Sequence, residues 1–320
     1  AQLRDLRALA QGIMSRTSED EPEPSDIAEY VRQSVNRPYG IVRDTETFAD
    51  ALPRVIDQIQ HGTAAGLSTP WPELDKKIHG LGKDRLYIVA ARPGVGKSLL
   101  GQNLAWHWSQ RHGLPVYFAS LEMSTDELTT RTLAQVSQVT LSAMLSSNAS
   151  EADWASIDTA APKLANAKVH ICPSPTQTID SIRAGARDLQ RREGLGLVVV
   201  DYLQLVTARD RRSSREQQVA EISRNLKLLA KELHVPVVAM SQVKRLNDNE
   251  KNRPPSMSDL RESGAIEQDA DAIFILHIPD PDTYWMGQLL IAKARAGERG
   301  VIDLEMATHF ATIRDPRRSA

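Results

Sequence analysis

Residues 91–98 read ARPGVGKS, and their flanks constrain the fold more than any other feature of the chain. An apolar run, LYIVA (86–90), precedes the segment, and a helix-like stretch, SLLGQNLAWHWSQ (98–110), follows it. Strand, glycine-rich turn and helix in that order make a phosphate-binding loop. Gly94 and Gly96 let backbone N–H groups close round an anion, the helix N-terminus adds positive potential, and Lys97 adds a point charge. Ser98 is placed to hold a metal ion. Ala91 stands where the motif usually opens with Gly, which is acceptable wherever φ is negative. Phosphate contacts are expected along Arg92, Pro93, Gly94, Val95, Gly96, Lys97, Ser98 and Leu99, with ATP and Mg²⁺ as the ligands such a loop takes.

Beyond residue 69 the chain alternates short apolar runs with amphipathic stretches, the pattern of an α/β fold with a mostly parallel central sheet flanked by helices. Seven strands are expected, at 86–90, 116–120, 197–201, 236–240, 272–276, 289–292 and 301–306. Between the third and fourth, Val219, Ile222, Leu226, Leu229 and Leu233 recur at helical spacing. Lys97 and Ser98, then Glu122, Asp201 and Gln242 all fall at or just past C-terminal strand ends, the edge where open α/β sheets bind ligands. Residues 1–65 read as a helical linker, interrupted by the acidic run SEDEPEPSD (18–26), and 66–320 as the nucleotide-binding domain. Leu3, Leu6, Leu9 and Ile13 form one apolar stripe, to be covered either by a neighbouring subunit or by the chain's own domain.

Hydrophobic residues at 41% and charged residues at 25% match soluble globular chains, and no apolar run approaches the roughly 20 residues of a membrane span. A lone cysteine, Cys172, forms no internal disulfide, and AQLRDLRALAQG is not a signal peptide, so a cytoplasmic setting is expected. Ala1 opening directly into a helix-like pattern suggests upstream sequence. A net charge of −2, from 39 basic and 41 acidic residues, means that any polyanion contact must be local.

Several residues carry chemistry or have an ordinary alternative. Asp201, closing LVVVD, either organises Mg²⁺ or opens a turn; Glu122 in SLEMS either polarises a water or is a solvated helix-start residue. Gln242 either senses a γ-phosphate, with Lys244 and Arg245 just beyond, or is a satisfied buried amide. Lys293 and Arg295 share a face near an expected hairpin tip, where they either reach a neighbour's γ-phosphate or sit in a solvated turn. TARDRRSSR (207–215) and RPPSMSDLRESGAIEQDAD (253–271) are either charged loops or backbone-binding loops for nucleic acid. No aromatic interleaves either loop, and base stacking is not expected there.

In order, ARPGVGKS, SLEMS, VVVDYLQL, EISRNLKLLAKEL, VPVVAMSQ, SDLRESGAIEQDAD and IAKARAG resemble the motif set of bacterial DnaB-type replicative helicases and their phage relatives. The resemblance runs from about residue 66 to 316. It implies a RecA-like P-loop NTPase fold in a hexameric, ATP-hydrolysing helicase that moves 5′ to 3′ on single-stranded DNA, with primase and a loader as partners. It assigns phosphate to Lys97, Mg²⁺ to Ser98 and Asp201, general-base work to Glu122, γ-phosphate sensing to Gln242, and action in trans to Lys293 and Arg295. It gives the DNA to Arg261, Glu262 and Gly264 and to Arg209, Arg211, Arg212 and Arg215. The family usually has Asn at the position of Ala296. An ATP-dependent strand-exchange protein and a protein-binding regulatory ring are the competing readings.

Overall fold

The computed structural model describes residues 14, 15, 17, 46–62, 65–146, 148–208, 210, 212–243, 253–260 and 263–318. The expected stripe Leu3, Leu6, Leu9 and Ile13 lies outside the described residues, as do Lys244, Arg245, Arg209, Arg211, Arg261 and Glu262. The chain divides into two units, 1–64 and 65–320.

In the first unit, α1 (Phe48–Gln60) opens with a capping box in which Thr47 and Asp50 satisfy each other's backbone N–H groups. Its apolar residues Phe48, Leu52, Val55, Ile56 and Ile59 are all exposed, Phe48 at 97%.

The second unit is a nine-stranded sheet in the order β3-β2-β4-β5-β1-β6-β7-β8-β9. It contains α2 (Pro72–Ile78), β1 (Leu86–Ala91), α3 (Lys97–His112), β2 (Val116–Ser120), α4 (Thr125–Ser137) and α5 (Leu141–Leu145). There follow α6 (Glu151–Ala165), β3 (Val169–Pro173), α7 (Ile179–Glu193), β4 (Leu197–Asp201), α8 (Arg215–Leu233) and β5 (Val237–Gln242). The chain then forms α9 (Ser263–Asp269), β6 (Ala272–His277), β7 (Met286–Ala294), β8 (Gly300–Ala307) and β9 (Thr312–Arg314). The first six strands of the sheet order that ends at β6 run parallel, and β7 to β9 continue it antiparallel.

Burial follows the pairing. β1, β2, β4 and β6 are buried at every residue because helices cover both faces, whereas β7 and β8 alternate, placing Leu289 and Ile291 or Ile302, Leu304 and Met306 inward. Along β1, Tyr87, Val89 and Ala91 join one core with α2 and α3, while Leu86, Ile88 and Ala90 join the other with α7 and α8. All five apolar residues expected on the helix before the fourth strand are buried, at 0–3% exposure. The seven expected strands are present, some longer than expected, and β3 and β9 were not expected. Among the described residues no helix is long and apolar enough to cross a membrane.

Candidate active site

β1 ends at Ala91 and α3 starts at Lys97, so residues 92–96 make the whole turn. Gly96 holds φ at +108°, a conformation that favours glycine, and a Cβ there would also sit 3.3 Å from the Met306 methyl. Ser124, Ser150, Thr178 and Ser214 cap α4, α6, α7 and α8 with capping boxes, but no side chain caps α3. Its first N–H groups are left facing the loop, and a helix N-terminus of this kind binds an anion.

The strands bring three charges to this point. β2 and β4 are neighbours with Ser120 opposite Asp201, which sets Glu122 beside the end of β4. Lys97 is buried, its Nζ 3.1 Å from Glu122 Oε2, 3.3 Å from Asp201 Oδ1 and 3.5 Å from Ser98 Oγ. It also lies 4.2 Å from the centre of the Tyr202 ring, within cation–π range. Asp201 is fully buried, yet its Oδ2 accepts no hydrogen bond from any described residue. An unsatisfied buried carboxylate oxygen is costly, and a cation beside it removes the cost. Asp201 Oδ2 and Ser98 Oγ therefore fit Mg²⁺. Among the described residues no group of three or more His, Cys, Asp or Glu gathers to hold a metal.

A cleft of about 530 Å³ opens here, lined by Pro93, Gly94, Gly96, Lys97, Ser98 and Leu99, by Glu122, and by Gln242. Arg131 of α4 and Tyr202 also line it, and neither stood out in the sequence. Arg92 turns its guanidinium away, donating to the Arg253 carbonyl at 2.9 Å, and Val95 packs against the core beside the loop. Arg253 in turn grips Asp259 at 2.6 and 2.7 Å, which holds that carboxyl well below the usual range. A separate apolar cavity of about 440 Å³ between α3, α4, α6 and β3 is lined by no titratable side chain.

Gln242 is opposite Ala91, one strand over from the loop. Gln204, also missed in the sequence, fixes its backbone: Gln204 Oε1 accepts from Gln242 N at 3.2 Å, and Nε2 donates to Ser241 Oγ at 2.9 Å. Arg215 donates to the Gln204 carbonyl, and the Arg212 backbone N–H donates to Asp210 at 2.8 Å. Both arginines are exposed, as is Gly264 in α9.

Lys293 and Arg295 lie at the other edge of the sheet. Ile273 pairs with Lys293 at the start of β6, whereas Leu276, opposite Ala91, is at its loop end. Along β6, Ile273 is three residues from Leu276, about 10 Å, and Asp271, whose carbonyl accepts from the Arg295 N–H, is five residues away, about 16 Å. Neither cation lines the cleft: Lys293 donates to the Glu267 carbonyl and Arg295 to the Gln268 carbonyl.

The family described as DnaB-like helicase C-terminal domain matches residues 66–315. This chain belongs to that family. It is 38% identical to the replicative DNA helicase DnaB of Leifsonia xyli, with 86% of this chain and 62% of that protein aligned. It is 33% identical to the replicative DNA helicase DnaC of Bacillus subtilis, over 96% of this chain and 70% of that protein. The chain thus spans about three-fifths of the Leifsonia relative's length. Among solved structures, the ATPase domain of G40P superposes with a TM-score of 0.80 at 29% identity, covering 85% of this chain and 99% of that one. A DnaB-like replicative helicase, solved in a study of its interactions with primase, gives 0.84 at 27% identity, covering 98% of this chain and 76% of that one. The helix-flanked, mostly parallel sheet is therefore the RecA-like fold of DnaB-like helicase domains, as the sequence resemblance implied.

Proposed function

We propose that this chain is the ATP-hydrolysing motor of a replicative DNA helicase, working in a ring with its nucleotides held between neighbouring copies. One observation carries this: a phosphate cleft at one sheet edge, and toward the other, two cations that do not line it and are bonded to carbonyls of α9.

The loop N–H groups from Gly94 to Ser98 take the phosphate oxygens of ATP, and Lys97 Nζ adds its charge to them. Asp201 Oδ2 and Ser98 Oγ would hold Mg²⁺, which would neutralise charge on the phosphates. Glu122, half-exposed on the cleft, accepts the proton of the attacking water as the bond from γ-phosphorus to the bridging oxygen breaks. Arg295 and Lys293 of the next copy stabilise the charge that develops on the transferred phosphoryl group. Gln242, fixed by Gln204, relays the presence of that group to the segment that follows β5. Single-stranded DNA is held through its phosphates by Arg209, Arg211, Arg212, Arg215 and Arg261 and by the Gly264 backbone N–H, with Glu262 in the same loop as Arg261, so binding is sequence-independent and weakens with salt. Residues 1–65 are the linker, and the exposed apolar face of α1 supports a role in packing on an adjacent copy. Movement 5′ to 3′, a hexameric ring, primase and loader partners, and a cytoplasmic setting complete the proposal.

The test mixes two inactive chains. Lys97→Ala has no working cleft and Arg295→Ala no finger, so mixed assemblies are expected to recover hydrolysis that neither parent shows. No recovery overturns the shared cleft, and failure of single-stranded DNA to stimulate hydrolysis overturns the DNA assignment.

A further inference from the structure

Asp271 lies just before β6, and three elements converge on it. Leu86 N of β1 donates to its Oδ2 at 2.7 Å, and Lys227 Nζ of α8 reaches the same oxygen at 2.6 Å. The third partner is Arg295, whose guanidinium lies 3.5 Å from Oδ1 and whose backbone N–H donates to the Asp271 carbonyl at 2.8 Å. Arg295 also donates to the Gln268 carbonyl at the end of α9, and Lys293 donates to the Glu267 carbonyl one residue earlier. Two cations thus sit on the C-terminal carbonyls of one helix, where its dipole favours positive charge.

Leu86 N and Lys227 already satisfy the Asp271 side chain within the fold. Its pair with Arg295 is of another kind, because the arginine is 51% exposed and the aspartate only 13%. A long pair to a half-exposed arginine adds little to stability. Its effect is on direction: an anchored carboxylate and an anchored carbonyl together restrict a long, flexible side chain.

We propose that Asp271 is a positioning residue for Arg295, holding the guanidinium at the edge of the sheet in the pose offered to a second copy of the chain. This rests on Arg295 acting in trans. Lys293 answers to the same carboxylate: burial and then Arg295 pull its ammonium below the usual lysine range, while Asp271, Glu267 and Asp269 oppose that pull.

The experiment compares Asp271→Asn, Asp271→Glu, Arg295→Lys and Lys227→Met by hydrolysis kinetics, mixing with Lys97→Ala chains, and thermal melting. Asp271→Asn is expected to lower kcat about tenfold to a hundredfold with KM little changed. Mixing with Lys97→Ala should restore activity, since the Asn chain keeps its own cleft and its partner supplies a held arginine. Asp271→Glu, which keeps the charge, should retain more activity than Asn. Lys227→Met, which leaves Leu86 N to anchor Asp271, should melt earlier and lower kcat less than Asp271→Asn does. Should Asn prevent folding, Arg295→Lys decides: it keeps the charge but not the geometry, and is expected to be nearly as poor as Arg295→Ala. Normal kcat in Asp271→Asn or in Arg295→Lys overturns the proposal, as does an Asn defect that tracks melting and is not rescued by mixing. If Arg295→Ala and Lys97→Ala complement while Asp271→Asn is normal, only the positioning role is lost; if they fail to complement, action in trans is lost with it.

Discussion

At the loop edge of the sheet, Lys97 is 10% exposed at its side chain and lies between two carboxylates; at the far edge, Arg295 is 51% exposed and has one. The first cation is enclosed, with its partners supplied by neighbouring strands β2 and β4. The second is tethered on one side and open on the other. Burying a charge is tolerable only when its partners are at hand, and a charge left half open has its remaining valence directed outward. On the function proposed above, the two edges would carry complementary halves of one reaction centre, completed only between two copies.

The comparison can be broken first at the enclosed edge. Glu122→Gln removes a base while leaving a polar group of the same size, so kcat is expected to fall by on the order of 10²–10⁴. Nucleotide affinity, measured by titration, should change little; a kcat within a few-fold of normal would remove Glu122 from the chemistry. The open edge is tested by Gly297→Ala. Gly297 has φ +152°, and an added Cβ would come 2.5 Å from the Lys77 carbonyl, while the next residue, Glu298, donates its N–H to that same oxygen. Strain at such a position costs about 2 kcal/mol, readable as earlier urea unfolding, and displacement of the adjacent Arg295 should lower hydrolysis in assembled chains. Unaltered unfolding would mean that α2 does not pin this turn.

The smallest effect is a pH response at the loop end of β6. Burial, then the neighbouring Arg92, hold the His277 imidazole below its ordinary value. Its neutral form is therefore favoured in the folded chain, and the stability it contributes is complete above about pH 6.5 and lost as pH falls from there toward the depressed value. The melting temperature should decline over that interval and decline less in His277→Gln. Parallel curves for the two proteins would assign the decline to other groups.

Much of this was legible in the sequence, for reasons that differ by residue. Fully buried parallel strands such as LVVVD announce themselves as apolar runs, and the loop after LYIVA is marked by its glycines and Lys97. VHICP does not: β3 is the edge of the sheet, half-exposed along most of its length, and ends in proline. β9 has three residues, too few for any period to appear. Gln204 acts only through the end of a strand 38 residues away, and nothing in DYLQL signals that β5 will lie beside β4. Arg131 reads as an ordinary cation on an amphipathic helix until α4 is folded against the cleft. Asp271 was legible as part of a motif but not as an anchor, because its three partners come from β1, α8 and the turn after β7.

β6 has one further consequence. Leu276, near its upper end, lies under Gly96 of the phosphate loop, and Asp271, just below its lower end, steadies Arg295. Strands on both sides hydrogen-bond to it, so on the proposed function it would link the phosphate loop at one tip to Arg295 at the other as a stiff rod. In a head-to-tail array of such chains the rods would be strung in series, each passing the state of its own nucleotide to the next copy with little slack.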